Sequence, residues 1–388
     1  MYKRMLGAKL LSLAKQYPVV TLTGPRQSGK TTLVRICFKD KSYVSLEDPD
    51  MREFALSDPR GFLGQFKDGA VIDEVQRAPD LLSYIQGVVD SSKKSGMFIL
   101  TGSQQFLLLD RVSQSLAGRT ALLSLLPLSL QELRKNRLTP ENLDALLLSG
   151  GYPSIYDRGL NPWEWNANYV ATYLERDVRS IKNIGDLSLF QRFLSLCAAR
   201  SGHLLNYSEI GNACGITHNT VRSWISVLEA SYIVFLTRPH HGNFSKRLVK
   251  TPKLYFHDTG LLCYLLGLRD RNALSLSPFR GHIFETLIMG EIVKHFMNRG
   301  DRPAISFWRD KTGNEIDCMI DFNNSIVPVE IKSGATILPD YFSGLAYWKK
   351  ISGSHSKGYV VYGGDTGQKR SDAEVVPWMD MDSFLKTL

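Results

Sequence analysis

The stretch Val19–Leu33, VVTLTGPRQSGKTTL, decides the expected fold of the first part of the chain. An apolar, β-branched run leads into a loop with the phosphate-binding pattern G-x-x-x-x-G-K-[ST], and a helix can follow it. Glycines let such a loop close on a phosphate, which the loop N–H groups and the helix N-terminus then face. We therefore predict a nucleotide site. Its residues are Gly24, Pro25, Arg26, Gln27, Ser28, Gly29, Lys30, Thr31 and the following Thr32.

An acidic element further along the chain completes a candidate hydrolysis site. In GAVIDEVQRAP (69–79), an apolar run ends at Asp73 and Glu74. Lys30 would contact the β- and γ-phosphates of ATP, and Thr31 would ligate Mg²⁺. Asp73 would hold the same ion through water, and Glu74 would polarise the attacking water. The alternatives are an acidic strand end without a nucleotide role and a glycine turn with an incidental lysine.

The next apolar strand, 97–103, ends in small polar residues. Such residues lie beside the nucleotide in a doubly wound sheet, so Ser103 or Gln104 could sense the γ-phosphate or hold the water. The helical stretch that follows ends near Arg119, which could be a finger for a neighbour's nucleotide or a charge that interacts with the helix dipole. With a further strand at 121–128, the pattern predicts a parallel sheet covered on both faces.

Composition limits the class of protein and its partners. A length of 388 residues suggests roughly two or three domains. The formal net charge of +9 favours an anionic partner such as DNA, although a basic solvated surface would give the same value. No stretch approaches the ~20 apolar residues of a membrane span. The five cysteines are scattered, so we expect a cytoplasmic protein with reduced thiols, no membrane contact, and neither zinc nor disulfides.

Four segments carry a family resemblance. In this order, GPRQSGKTTL, VIDEVQ, ILTGSQ and SLAGR with LLPLSLQEL resemble a family of prokaryotic AAA-type ATPases with a C-terminal region of uncharacterised function. The resemblance implies ATP hydrolysis with ATP and Mg²⁺ as cofactors, and it allows a homo-oligomer because such relatives often form rings. YLERDV (173–178) also matches. Its Arg176 could complete a neighbouring ATP site or belong to an i,i+4 charge pattern on a linker helix. The predicted ranges are 1–135 for the ATPase domain and 136–184 for a helical linker or lid.

The segment 206–239 is typical of a helix-turn-helix followed by a wing, and we assign 185–256 to this domain. Tyr207–Cys214 would form the first helix, with the turn at Gly215. Thr217 would cap a second helix that runs to Ala230.

In a DNA-binding version, the second helix would enter the major groove and the wing would approach phosphates. Winged helices also serve as protein–protein modules, and the second helix carries one arginine. The side chains expected in the groove are His218, Asn219, Arg222 and Ser223. The wing lysines and arginine expected near phosphates are Lys246, Arg247, Lys250 and Lys253.

From Phe279 onward the pattern predicts a helix, three strands and a helix, within a domain assigned to 257–388. Glu285 lies on the first helix, and Asp317 lies early in the second strand of a hairpin. Glu330 and Lys332 are two residues apart on the next strand and therefore share a face.

The four residues Glu285, Asp317, Glu330 and Lys332 resemble the core of PD-(D/E)XK nucleases. The resemblance implies that Asp317 and Glu330 bind Mg²⁺, which activates water, while the lysine orients it. Ile316-Asp317 stands where the pattern has Pro-Asp, and the downstream helix lacks the glutamine of many active relatives. The alternatives are a retained nuclease fold used for DNA-end or partner binding, and a surface cross-strand charge pattern.

We therefore expect an α/β protein: a P-loop AAA-type domain with a parallel sheet, then a winged helix-turn-helix and a PD-(D/E)XK nuclease-like α/β domain. The predicted function is ATP hydrolysis coupled to action on or at DNA. The alternative is an ATP-dependent DNA- or protein-binding switch with a catalytically inactive nuclease-like fold.

Overall fold

A computed structural model describes residues 2–103, 115–174, 186–240, 249–322, 325–353 and 356–387. The chain divides into two compact units. The first comprises Met1–Leu128, Ala230–Tyr232 and Met297–Asp301, and the second comprises the rest. Within the described ranges, no helix combines the length and the apolar character needed to cross a bilayer.

The first unit is an α/β layer structure around one five-stranded sheet. Its strands are β1 (Val19–Thr23), β2 (Ser42–Ser45), β3 (Ala70–Asp73), β4 (Phe98–Gly102) and β5 (Thr120–Ser124). Its helices are α1 (Leu6–Ala14), α2 (Lys30–Cys37), α3 (Pro49–Ser57), α4 (Pro59–Gly64) and α5 (Leu81–Ser92), with a 3₁₀ turn at Val75–Arg77. The strand order is β2-β3-β4-β1-β5 and every pairing is parallel, which confirms the predicted parallel sheet.

Strand β1 lies inside this sheet, between β4 and β5. All five of its residues are buried. Val19 packs into the hydrophobic cluster on one face of the sheet, while Val20 and Leu22 pack into the cluster on the other. A strand that is covered on both faces must be apolar at successive positions, which explains the β-branched run. The phosphate loop therefore starts at the C-terminal end of an interior strand of the sheet.

The rest of the chain is mixed α/β. Its helices are α6 (Leu130–Lys135), α7 (Leu143–Ser149), α8 (Pro153–Asp157), α9 (Pro162–Tyr169), α10 (Leu187–Ala199), α11 (Tyr207–Cys214), α12 (His218–Ala230), α13 (Thr259–Leu265), α14 (Arg271–Ser275), α15 (Arg280–Arg299), α16 (Ser343–Ser352) and α17 (Met381–Lys386). A π-helical turn covers Val170–Leu174, and 3₁₀ turns cover Pro339–Phe342 and Trp378–Asp380. Its strands are β6 (Val234–Pro239), β7 (Lys253–Phe256), β8 (Ile305–Arg309), β9 (Glu315–Phe322), β10 (Ser325–Lys332), β11 (Gly358–Tyr362), β12 (Gln368–Lys369) and β13 (Ala373–Pro377).

Helices α11 and α12 lie where the sequence predicts the two helices of a helix-turn-helix. Helix α11 ends at Gly215, whose φ of 73° is the left-handed conformation that favours glycine. The N–H of Thr220 donates to Thr217 Oγ1 at 3.1 Å, so Thr217 caps α12 as expected.

The eight remaining strands form one sheet in the order β12-β13-β11-β10-β9-β8-β6-β7. The expected succession of helix, three strands and helix is present as α15, β8, β9, β10 and α16. The predicted wing ribbon, β6 and β7, is an antiparallel pair, but β6 also pairs in parallel with β8. The ribbon thus extends the C-terminal sheet, because the free edge of β8 offers backbone groups to pair with.

We expect Gly24→Ala to destabilise the first unit by about 1–3 kcal/mol. An added Cβ would lie 2.2 Å from the carbonyl oxygen of Leu125, at a φ of +145°. Hydrogen exchange of the β1 and β5 peptides, followed by mass spectrometry, measures the change in opening free energy.

The control is Gly87→Ala on α5, where an added Cβ has no neighbour within 4 Å. Alanine there should be neutral or stabilising by up to about 1 kcal/mol. If the two substitutions had similar effects, the close approach of position 24 to the Leu125 carbonyl oxygen would not be the reason for glycine there.

Candidate functional site

The loop after β1 takes the backbone conformation that a phosphate cradle needs. Gly24 has a φ of +145° and Gly29 has a φ of +92°, with Gly29 directly before α2. Gln27 also lies in the left-handed region, with a φ of 65°. Because Gly29 is the N-cap of α2, the loop leads directly into the N-terminus of that helix, where an anion would be stabilised. Pro25 and Ser28 are buried within the loop.

The Lys30 side chain is buried, and its ammonium group is held by backbone carbonyls of the phosphate loop. Its Nζ donates to the carbonyl oxygens of Gly24 and Pro25, each at 2.9 Å. The ammonium is thereby kept against the loop backbone, and a bound phosphate would offer it stronger, charged acceptors. The exposed Thr32 follows on α2, and Arg26 lies 3.9 Å from the Glu47 carboxylate.

Asp73, at the end of β3, is the centre of a hydrogen-bond cluster. Its Oδ2 accepts from Thr31 Oγ1 at 2.8 Å and from the Tyr43 hydroxyl at 2.7 Å. Its Oδ1 accepts from the Thr101 hydroxyl. Burial and the bond to Asp73 raise the pKa of Tyr43 to about 12, so the phenol stays a donor. Thr31 and Asp73 thus present adjacent oxygen ligands of the type that Mg²⁺ prefers, and they fit the predicted metal site.

Glu74 is held beside this cluster by an unusual backbone conformation and three polar neighbours. Its φ is 57°, and its N–H donates to Thr101 Oγ1 at 3.2 Å. Its Oε2 accepts from Ser103 Oγ at 3.1 Å and from the Gln76 amide. Ser103 therefore lies at the predicted general base, as its position at the end of β4 indicates. Gln104, the other residue considered for the γ-phosphate, lies outside the described residues.

Sequence reasoning missed Arg4. Its guanidinium donates to the carbonyl oxygens of Ser28 at 2.6 Å and Leu126 at 2.5 Å. The fork of the guanidinium therefore ties the back of the phosphate loop to the segment after β5. Arg4 lies before α1, and no sequence pattern near it predicts a contact with the phosphate loop.

Arg119 does not lie with the phosphate-loop residues. It precedes β5, whose first residue pairs with Val19 at the start of β1, so it lies at the opposite edge of the sheet from the loop. Its guanidinium contacts both carboxylate oxygens of Asp90, at 2.5 and 2.9 Å. The two roles considered for Arg119, a finger for a neighbouring chain and a charge that interacts with the helix dipole, both stay predictions. Arg176 lies outside the described residues.

The nuclease-like residues form a second cluster, in the second unit. Lys332 Nζ contacts Asp317 Oδ2 at 3.3 Å and Glu330 Oε2 at 2.7 Å, so these three residues meet as predicted. The backbone N–H of Ile331 also donates to Asp317 Oδ2, at 2.8 Å. Burial and the neighbouring Asp317 raise the pKa of Glu330 to about 8.

Glu285 makes contacts that the sequence did not predict. Its Oε1 lies 3.1 Å from Lys253 Nζ and accepts from the Tyr255 hydroxyl at 2.6 Å. Lys253 also forms an ion pair with Glu315 and is only 3% exposed. The expectation that Lys253 reaches a DNA phosphate is wrong, because all four residues of β7 are buried and this side chain pairs with the carboxylates of Glu285 and Glu315. Lys246 and Arg247 lie outside the described residues, and Lys250 is exposed.

Across the described part of the chain, no set of three His, Cys, Asp or Glu side chains is arranged to hold a metal ion. The nucleotide site does not require such a set, because a nucleotide brings phosphate oxygens to complete the coordination. The Mg²⁺ ligands predicted for the nuclease-like cluster are likewise only two carboxylates, Asp317 and Glu330, and a metal site there stays a prediction.

Three parts of the chain match known families. Residues 16–134 match the family described as "AAA domain". Residues 140–272 and 280–381 match two families described as "Domain of unknown function", DUF8612 and DUF4143. The first match identifies residues 16–134 as an ATPase domain of the AAA, P-loop type, in agreement with the sequence resemblance.

Two mycobacterial relatives resemble most of the chain. They are "Uncharacterized protein Rv2008c" of Mycobacterium tuberculosis and "Uncharacterized protein Mb2031c" of Mycobacterium bovis. Each is 29% identical over 337 residues, which are 86% of this chain and 74% of the relative.

Solved structures show weak likenesses. The Walker-type ATPase PABY2304 of Pyrococcus abyssi is 18% identical, with coverage of 68% of this chain and 96% of that chain and a TM-score of 0.43. AMPPCP-bound DnaA from Aquifex aeolicus is 18% identical, with coverage of 58% and 86% and a TM-score of 0.31. A single-substitution variant of RuvB from Thermotoga maritima is 22% identical, with coverage of 60% and 87% and a TM-score of 0.29. Scores this low carry no argument about this chain.

We expect Arg4→Gln to weaken the binding of a fluorescent ATP analogue about tenfold, the loss expected for charged hydrogen bonds that hold a loop in place. Arg4→Lys should restore part of the affinity, because a single ammonium cannot span both carbonyls as the guanidinium fork does. Arg60→Gln, which removes the same charge from an exposed site on α4, is the control. An equal loss of affinity in the Arg4→Gln and Arg60→Gln variants would contradict this explanation. It would show that the loss of one positive charge, and not of the contacts that position the loop, weakens ATP binding.

Proposed function

We propose that this chain binds ATP with Mg²⁺ and hydrolyses it at the phosphate loop. The contact between Thr31 Oγ1 and Asp73 Oδ2, at 2.8 Å, carries the proposal. It brings together the two protein oxygens that P-loop ATPases use for the metal ion, directly beside the buried Lys30. Thr31 and Asp73 would hold the Mg²⁺ ion, which would supply positive charge to neutralise the phosphates of the nucleotide.

Each residue of the site has a separate task in this proposal. The loop N–H groups orient the phosphates, and Lys30 exchanges the carbonyl oxygens of Gly24 and Pro25 for phosphate oxygens. Asp73 is oriented by three hydroxyl donors, those of Thr31, Tyr43 and Thr101.

Glu74 acts as the general base in this proposal. Its Oε2 is shared between Ser103 and Gln76, so one of these donors must give way before the carboxylate accepts a proton from water. Ser103 follows β4, next to where the γ-phosphate would lie. Its hydroxyl can exchange the hydrogen bond to Glu74 for one to the γ-phosphate.

We expect Lys30→Ala to reduce steady-state ATP hydrolysis roughly 10²-fold or more, since an electrostatic contact to the reacting phosphate is lost. Glu74→Gln should bind ATP as tightly as the unaltered protein and lose hydrolysis, because an amide cannot accept the proton. Lys39→Ala, at an exposed lysine just after α2, is the control. Hydrolysis by Lys30→Ala at the unaltered rate would refute the proposal.

We further propose that the remaining part of the chain contacts DNA through α12 of the helix-turn-helix. His218, Asn219 and Arg222 are exposed at its N-terminal part, and Ser223 is half-buried. These side chains can donate hydrogen bonds to base edges or phosphates. Lys250, exposed just before β7, and the formal net charge of +9 support an anionic partner. A nuclease-like fold fits the same partner, and in this proposal it binds without cutting.

We expect Arg222→Ala to lower the affinity for a DNA duplex and to reduce the slope of log affinity against log salt by about 1. Fluorescence anisotropy at several salt concentrations measures both. Arg302→Ala, at an exposed arginine before β8, changes the net charge equally and should leave the slope unaltered. Binding that is absent or insensitive to salt would favour the protein-binding alternative.

A further inference from the structure

Tyr232 follows the second helix of the helix-turn-helix in the chain, yet it belongs to the first unit. The segment Ala230–Tyr232 is part of that unit, whereas the residues up to Glu229 and those from Ile233 onward belong to the second. The side chain is only 3% exposed. Tyr232 is therefore a buried component of the ATPase unit, although it lies 209 residues beyond Thr23 in the sequence.

The Tyr232 hydroxyl contacts the last residues of two neighbouring strands. It lies 2.6 Å from Thr23 Oγ1 at the end of β1 and 2.8 Å from Ser124 Oγ at the end of β5. Thr23 Oγ1 also donates to the Leu123 carbonyl oxygen at 3.1 Å. Because each hydroxyl has one proton, that donation leaves Thr23 to accept from Tyr232, and Tyr232 can in turn accept from Ser124. Burial raises the pKa of the Tyr232 phenol, so the hydroxyl keeps the proton that it donates.

These contacts lie directly beside the phosphate loop. Thr23 immediately precedes Gly24, and its carbonyl oxygen accepts from the N–H of Leu125 at 2.8 Å. The carbonyl oxygen of Leu125 is the group that a Cβ at position 24 would meet. The ends of β1 and β5 thus support the start of the loop, and the Tyr232 hydroxyl joins the side chains of these two strand ends.

Tyr232 also takes part in ending helix α12. Its φ of 57° is in the left-handed region, and the N–H of Ile233 donates to the Leu228 carbonyl oxygen at 2.9 Å. This is a hydrogen bond of the Schellman motif, whose left-handed residue is usually glycine because a side chain is disfavoured there. Such a conformation persists where its surroundings hold it, and here the buried phenol is held by two hydroxyl partners. One residue therefore fixes both the end of α12 and the start of the phosphate loop.

We propose that Tyr232 is a positioning residue for the phosphate loop and that its hydroxyl couples nucleotide binding to helix α12. A nucleotide that orders the loop also holds Thr23 in place, and the hydrogen bond then holds Tyr232 in the conformation that ends α12. Opening of this helix end and binding of the nucleotide therefore oppose each other. The inference rests on the proposed binding of ATP, and it gives that binding a route to the helix that we propose contacts DNA.

Hydrogen exchange of the full chain, measured by mass spectrometry with and without a saturating non-hydrolysable ATP analogue and Mg²⁺, tests the proposal. In the unaltered protein we expect the analogue to slow exchange in the peptide 225–236 at least about threefold, because opening there then competes with bound ligand. Tyr232→Phe keeps the aromatic ring and loses the hydroxyl. This variant should lose the slowing and should bind the analogue about threefold more weakly, the loss expected for one neutral hydrogen bond.

Tyr152→Phe is the matched control. It removes another buried phenol hydroxyl, which donates to the Tyr169 hydroxyl at 3.2 Å within the second unit. We expect this variant to keep both the affinity for the analogue and the slowing at 225–236. Loss of the slowing in both variants would overturn the proposal, because general destabilisation, and not the contact with Thr23, would then be the cause.

Thr23→Val decides the question if Tyr232→Phe fails to fold, because it removes the partner hydroxyl and keeps a branched side chain in β1. We expect it to abolish the slowing as well. Combining Thr23→Val with Tyr232→Phe should cost no more than either substitution alone, since both remove the same contact. Slowing that persists in a folded Tyr232→Phe or Thr23→Val protein, at saturating analogue, would overturn the proposal.

The affinity measurement separates this inference from the proposed function. An unaltered protein that binds no ATP analogue would refute the proposed function and this inference with it. Binding of the analogue without slower exchange at 225–236 would refute this inference alone.

Discussion

The nucleotide site depends on the Asp73 carboxylate at the end of β3. Three hydroxyl groups, those of Thr31, Tyr43 and Thr101, converge on it from α2, β2 and β4. A buried carboxylate needs such donors, since an unpaired buried charge is very costly. Because the donors come from different elements, the carboxylate can be satisfied only when the strand order β2-β3-β4-β1 is in place. The same strand order is therefore needed for the sheet to form and for the Asp73 carboxylate to have its hydrogen-bond donors.

The phosphate-loop site and the nuclease-like cluster handle buried charge in different ways. In the first, the charged groups are held mainly by neutral donors and acceptors: Lys30 by loop carbonyls and Asp73 by hydroxyls. These partners can be exchanged for phosphate oxygens or metal-bound water at small cost. In the second, the carboxylates are held by ammonium and guanidinium groups. Charged pairs of this kind are costly to break when buried, so the second cluster is suited to fixing structure.

Much of the first unit was predictable, because its signals are local. The phosphate loop requires particular backbone angles at Gly24 and Gly29, and the apolar run of β1 reflects burial on both faces of a sheet. Asp73 and Glu74 were predictable from the end of an apolar strand. The nuclease-like residues were only half predictable: spacing on adjacent strands brought Asp317, Glu330 and Lys332 together, while the partner of Glu285 was not foreseen.

The sequence by itself determined the phosphate loop, the parallel sheet and the two helices with the turn at Gly215, since each is specified by residues close together in the chain. Only the tertiary structure decided where single cations lie. Arg4 contacts the phosphate loop, and Arg119 lies at the opposite end of the strands from that loop. Lys253 pairs with buried carboxylates instead of facing solvent. These positions follow from strand order and from the pairing of β6 with β8, which depend on contacts between distant segments. A charged residue carries no local signal of whether it will meet solvent, a ligand or a buried partner, because that depends on which strands become neighbours.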